Sequence, residues 1–132
     1  MTVSLIMALA VQASAVAPDV GPPRDWSALA PLPFTVQPDY PASLSNFVEE
    51  EVKAGHCVPP KRVDGLSQID ISLAVLILPG GSVKRIVPQA IDCPTVEQYS
   101  AGLILKMSRD NIKASPAADT WYRTSMTFTW GK

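Results

Sequence analysis

The sequence is poor in the residues that most enzymes of simple mechanism rely on. It has one histidine, His56, and two cysteines, Cys57 and Cys93, in 132 residues. A His-dependent hydrolase or a metal centre built on clustered His and Cys is therefore disfavoured. No Walker loop, no G-x-G-x-x-G and no H-E-x-x-H occurs. Charge of one sign is also lacking, since 11 Lys and Arg stand against 12 Asp and Glu. A nucleic-acid surface needs a clustered basic patch, so no nucleic-acid partner is expected. Charged residues are only 17% and apolar residues 47%, which excludes wholesale disorder and allows one small core.

No apolar run reaches the roughly 20 residues of a membrane-spanning helix. The longest near the start, Val3 to Val11, is followed by Gln12 and by Ala13-Ser14-Ala15, a small-x-small cleavage pattern. Residues 1–15 therefore read as a cleaved secretory signal, although no Lys or Arg precedes the apolar run. An uncleaved anchor and a misassigned start codon are the alternatives. Export places Cys57 and Cys93 where disulfides persist, and an even count favours one bridge between them. Two buried free thiols are the competing reading.

Proline is abundant, at 13 residues, and concentrated early. Residues 16–36 form a proline-rich extended segment. Trp26, Leu29, Leu32 and Phe34 are apolar enough to dock part of it. From residue 37 to 132 a single domain is expected. Pro41 to Ala54 reads as a helix that Gly55 stops, with Leu44, Phe47, Val48 and Val52 on one face and Glu49, Glu50 and Glu51 toward water. Residues 56–68 read as a loop. Ile69 to Leu78 alternates and is apolar on both faces toward its end, as in a central strand. After the Pro79-Gly80-Gly81 turn, Ser82 to Ile91 forms a second strand that Pro88 confines to an edge. Pro94 to about Asn111 is a second helix, with Val96, Leu103 and Met107, beside Tyr99 or Ile104, as its apolar face. Trp121 to Trp130 is the third strand.

The expected fold is α+β. Two helices pack on one face of a three-stranded antiparallel sheet, in the order helix, strand, strand, helix, strand, with sheet order two–one–three. With no catalytic spacing visible, an enzyme is not expected, and no cofactor or metal is implied. His56 reads as a helix-terminus residue. The chemically suggestive feature is backbone: the last strand keeps an open edge that can accept an added strand. Coverage by the proline-rich segment or by a second copy, in a homodimer, is the competing use of that edge.

Gln37-Pro38-Asp39-Tyr40-Pro41, followed by helix, hairpin, helix and strand, resembles the start of the TonB C-terminal domain family. The stretch Ser72 to Leu78, the Pro79-Gly80-Gly81-Ser82 turn and Val83 resemble the family's hydrophobic strand, turn and following valine. The likeness spans roughly residues 37–130 through short motifs. It departs at KMSRDNIKASP, where the family has Trp-Arg-Phe/Tyr-x-Pro, at Gly80 in place of Asp, in the two cysteines and in the long 55–68 loop. The resemblance implies a periplasmic module, associated with TonB-dependent transport, that binds the N-terminal box peptide of an outer-membrane receptor by strand addition. Tyr122, Thr124, Met126 and Phe128 would then be the docking residues, flanked by Gln37 and Tyr40. The short linker implies a free or weakly tethered relative rather than a force transmitter.

Overall fold

A computed structural model describes residues 21–113 and 115–131. The expected signal segment, 1–15, lies outside the described residues. The architecture is α+β, with two helices and an antiparallel sheet. Helix α1 spans Ser45–Lys53 and is entered through a short 3-10 turn, Ala42–Leu44. It ends in a Schellman motif. Gly55, at φ 77°, donates to the Val52 carbonyl at 3.1 Å, and His56 N–H donates to the Glu51 carbonyl at 3.0 Å. Helix α2 spans Pro94–Ser108 and begins with proline in its first turn.

Four strands make up the sheet: β1 (Lys61–Val63), β2 (Leu66–Ile77), β3 (Val83–Pro88) and β4 (Thr120–Trp130). β1 pairs with residues 66–68 of β2 and β3 with residues 73–77. β4 pairs with β2 from Ser67 to Ile77. A strand has two edges, so β1 and β3 share one edge of β2 and β4 takes the other. β1 corrects the expectation of a plain loop at 56–68. It closes through Asp64 and Gly65, both at positive φ (51° and 77°), the two-residue hairpin geometry that matches strand twist.

The odd-numbered residues of β2, from Ile69 to Ile77, join Met126 and Phe128 of β4, Val48 of α1, and Val96 and Ile104 of α2 in one core. The buried row of α2 is Val96, Ser100, Ile104 and Ser108, spaced four apart. It includes two serines and leaves Leu103 and Met107 only partly buried. The Ser100 hydroxyl is satisfied by the Val96 carbonyl at 2.8 Å. Phe47, expected on the buried face of α1, is 38% exposed and packs against Tyr99 with ring centroids 4.6 Å apart.

The proline-rich segment is bonded into the domain. Leu32 and Phe34 are buried. Pro31 bridges Arg123 and Phe34 bridges Ile112. Asn111 holds Val36 at both backbone groups, donating from Nδ2 at 2.8 Å and accepting at Oδ1 at 2.9 Å. A disulfide joins Cys57, after α1, to Cys93, at the start of α2. Among the described residues no helix is long and apolar enough to cross a membrane.

Candidate functional site: the outer edge of β4

Alternation along β4 decides which backbone groups face β2 and which face outward. The Arg123 N–H donates to Ala30 at 3.0 Å, and the Arg123 carbonyl accepts from Leu32 N–H at 2.7 Å, so residue 123 points away from β2. Thr129 N–H, of the same parity, donates to Ser45 Oγ at 3.1 Å. Residues 123, 125, 127 and 129 therefore form the outer row, and residues 122, 124, 126 and 128 turn their backbone groups to β2.

This places the sequence-derived site residues as follows. Met126 and Phe128 are buried in the core, and Tyr122 and Thr124 are half-buried on the same face. Their side chains face the helices and their backbone faces β2. Gln37 is exposed, on the stretch that leads to α1. Tyr40 lies beside β4, where a small cleft of about 60 Å³ brings it together with Pro41, Ser45, Met126 and Phe128. Partial burial raises the Tyr40 hydroxyl above the usual phenol range. The residues able to receive an added strand are the odd-numbered ones. The even set is what the family resemblance implies for the last strand; the direction in which its backbone groups turn is set by pairing with β2 and leaves no trace in residue type.

The edge is also narrower than an open strand of this length. Residues 29–32 occupy its first third, where Arg123 Nε additionally donates to the Leu29 carbonyl at 2.8 Å. Ser45 caps its far end. Among the described residues, Ser125 and Thr127 have no recorded partner for their outward backbone groups. The opening thus offers two donors and two acceptors. Thr127 Oγ1 donates to Asp70 at 2.8 Å, and Lys61 lies 2.8 Å from the same carboxylate. The Lys61 ammonium is the largest influence and holds the Asp70 carboxyl below the usual range; burial opposes it, and the weaker Thr127 and Gln68 hydrogen bonds act with Lys61.

A second polar cluster joins the helices. Glu51 Oε2 accepts from Thr95 Oγ1 and pairs with His56 Nδ1, each at 2.7 Å. Both bonds hold the Glu51 carboxyl below its ordinary range, the threonine bond more strongly. This corrects the expectation that Glu51 faces water. The histidine touches the carboxylate and not the hydroxyl, so the cluster lacks the base-to-nucleophile contact of covalent catalysis. It ties the end of α1 to the start of α2, beside the disulfide.

Comparison with family models, with curated proteins and with solved structures returns no match for this chain.

Proposed function

We propose that this protein is an exported TonB C-terminal-like binding module that captures an extended peptide by strand addition at the outer edge of β4. The observation that carries the reading is the opening at Ser125 and Thr127, whose outward backbone groups have no partner among the described residues, between the strap at Arg123 and the cap at Thr129. Two further features favour it. The disulfide and the apolar, small-residue start of the sequence suit a secreted, periplasmic molecule. Tyr40, from the stretch that carries the family likeness, lies against β4. The element order helix, strand, strand, helix, strand with sheet order two–one–three, expected from the sequence pattern, belongs to this proposal, with β1 as an added short strand. So does the N-terminal box peptide of an outer-membrane receptor as partner.

The test uses candidate box peptides and the Ser125→Pro variant. Proline removes an outward donor that β2 does not use, which an edge position tolerates. Peptide addition is expected to slow exchange of the Ser125 and Thr127 amides, and Ser125→Pro to abolish binding while the unfolding curve stays cooperative. Binding that survives Ser125→Pro discards the reading.

A second copy is the other occupant that fits this opening. Antiparallel pairing about a two-fold axis at Met126 sets Ser125 against Thr127 of the partner and satisfies all four groups. Light scattering across concentration separates the two, because capture of a peptide requires no dimer.

A further inference from the structure

The outer edge of β4 already holds one extended segment, and that segment is the chain's own strap, residues 21–36. The Arg123 N–H donates to the Ala30 carbonyl at 3.0 Å and the Leu32 N–H donates to the Arg123 carbonyl at 2.7 Å, a parallel bridge centred on Pro31. One step further, the same ladder would join the Ser125 N–H to the Leu32 carbonyl and the Phe34 N–H to the Ser125 carbonyl. Those two strap groups bond each other instead, at 3.1 Å, in a three-residue turn about Pro33. The strap then leaves β4 for residues 111–113. There the Thr35 N–H donates to the Asn111 carbonyl and the Lys113 N–H donates to the Pro33 carbonyl, each at 2.8 Å. The opening at Ser125 and Thr127 begins where the strap turns away.

The strap fills the edge without extending it. Pro31 turns its backbone away from β4 and, lacking an N–H, offers no donor to a further strand; Pro33 lacks one too. Leu32, between them, is 5% exposed and sits in the core with Met126 and Phe128. At β4 the strap thus combines a single rung of backbone pairing with one deeply seated apolar side chain. Ahead of that rung it has few ties. Among the described residues, the hydrogen bonds of residues 21–28 stay within the strap. A cleft of about 430 Å³ lies between Pro23 and Trp26 on the strap and Ser72 and Pro88 on the sheet. Behind the rung, Asn111 clamps Val36.

A segment held at a binding edge by one rung and one side chain competes with whatever else pairs there. We infer that residues 29–32 are an autoinhibitory contact: the partner strand displaces them, pairs with Arg123 as well as with Ser125 and Thr127, and seats an apolar side chain where Leu32 lies. This inference rests on the reading of β4 as a peptide-binding edge. It adds the partner's anchoring side chain and the part of the chain that the partner replaces.

The test uses the disulfide-intact full chain and two acetylated decapeptides, the strap's own sequence from Ser27 to Val36 and the same sequence carrying Leu32→Ser. On the Leu32→Ala protein, whose strap has lost its buried anchor, the first peptide is expected to slow exchange of the Arg123 amide and to raise the melting temperature. It should bind at least about tenfold more tightly than the Leu32→Ser peptide, since burial of one leucine side chain is at stake. Asn111→Ala loosens the strap from its other end and leaves Leu32 in place, so this variant should bind the first peptide more tightly than the wild type does. Equal binding of the two peptides, no gain from Asn111→Ala, or an Arg123 amide unmoved by both peptides overturns the inference. On the wild type, a box peptide that protects Ser125 and Thr127 while exchange at Leu32 and Arg123 stays unchanged overturns it as well, and leaves the β4 reading standing. Box peptides that fail to bind, while the strap peptide protects Arg123 in the Leu32→Ala protein, discard the receptor partner and retain the Leu32 site.

Discussion

Phe47 and Phe128 show how position decides what a residue contributes. Phe128 is 1% exposed at the centre of the core, whereas Phe47 is 38% exposed and rests on Tyr99. Phe128→Ala is expected to cost about 3–5 kcal/mol, the range for buried aromatic truncation. Phe47→Ala should cost less, about 1–2 kcal/mol, since more than a third of this residue is already in water. Urea unfolding of the two variants measures both. Asp70 makes a different prediction. Its folded carboxyl titrates below the ordinary 3.8, chiefly because of Lys61. The contribution of this group to stability is then complete above that value and is lost as pH falls through the lower folded value. Lys61→Met should raise the Asp70 pKa toward the ordinary range and move the acid limb of unfolding to higher pH. A carboxyl-carbon titration by NMR reads the first effect. An unchanged Asp70 titration would show that Thr127 and Gln68 suffice.

At the scale of the element, β4 makes the sharpest claim. Its amides should fall into two classes in hydrogen exchange. Tyr122, Thr124, Met126 and Phe128 face β2 and should be protected close to the global limit. Ser125 and Thr127 should exchange fast, while Arg123 and Thr129 are slowed by Ala30 and Ser45. Uniform protection along the strand would mean that the opening is closed. Two-fold periodicity made β2 and the two faces of β4 legible, because burial of alternate side chains is written in hydropathy. β1 was not legible, since Lys61-Arg62-Val63 carries no alternation and only Asp64-Gly65 marked its turn. The serine row of α2 escaped for a related reason. A serine whose hydroxyl bonds its own helix, as Ser100 does, is buried like an apolar residue but scored as polar. The pairing that links elements is testable too. The disulfide closes a 36-residue separation, for which chain entropy gives about 4 kcal/mol. Cys57→Ser with Cys93→Ser should lower the unfolding free energy by about that amount in urea titration, with the fold retained at low temperature.

On the scale of the molecule, the proline-rich segment acts as a strap rather than as a linker. It buries Leu32 and Phe34, bonds Arg123 on β4 and is held at Val36 by Asn111. The same residues that anchor it to the core thus cover the sheet edge beside the Ser125–Thr127 opening, which limits how long a partner strand can pair. Segments held by few anchors open as units, below the free energy of global unfolding. The amides of Leu32, Thr35, Val36 and Arg123 are therefore expected to share one opening free energy, smaller than that of Met126. Leu32→Ala removes an anchor at a cost of about 2–5 kcal/mol, and most of that loss should appear in this shared opening. An edge freed at Arg123 then presents a longer row of unpaired groups. Leu32→Ala should accordingly bind an extended peptide at β4 more tightly than the wild type, or self-associate as concentration rises. Exchange at Arg123 that stays tied to global unfolding in both proteins would show that the strap never leaves the edge on its own, and that the opening at Ser125 and Thr127 is all that β4 offers.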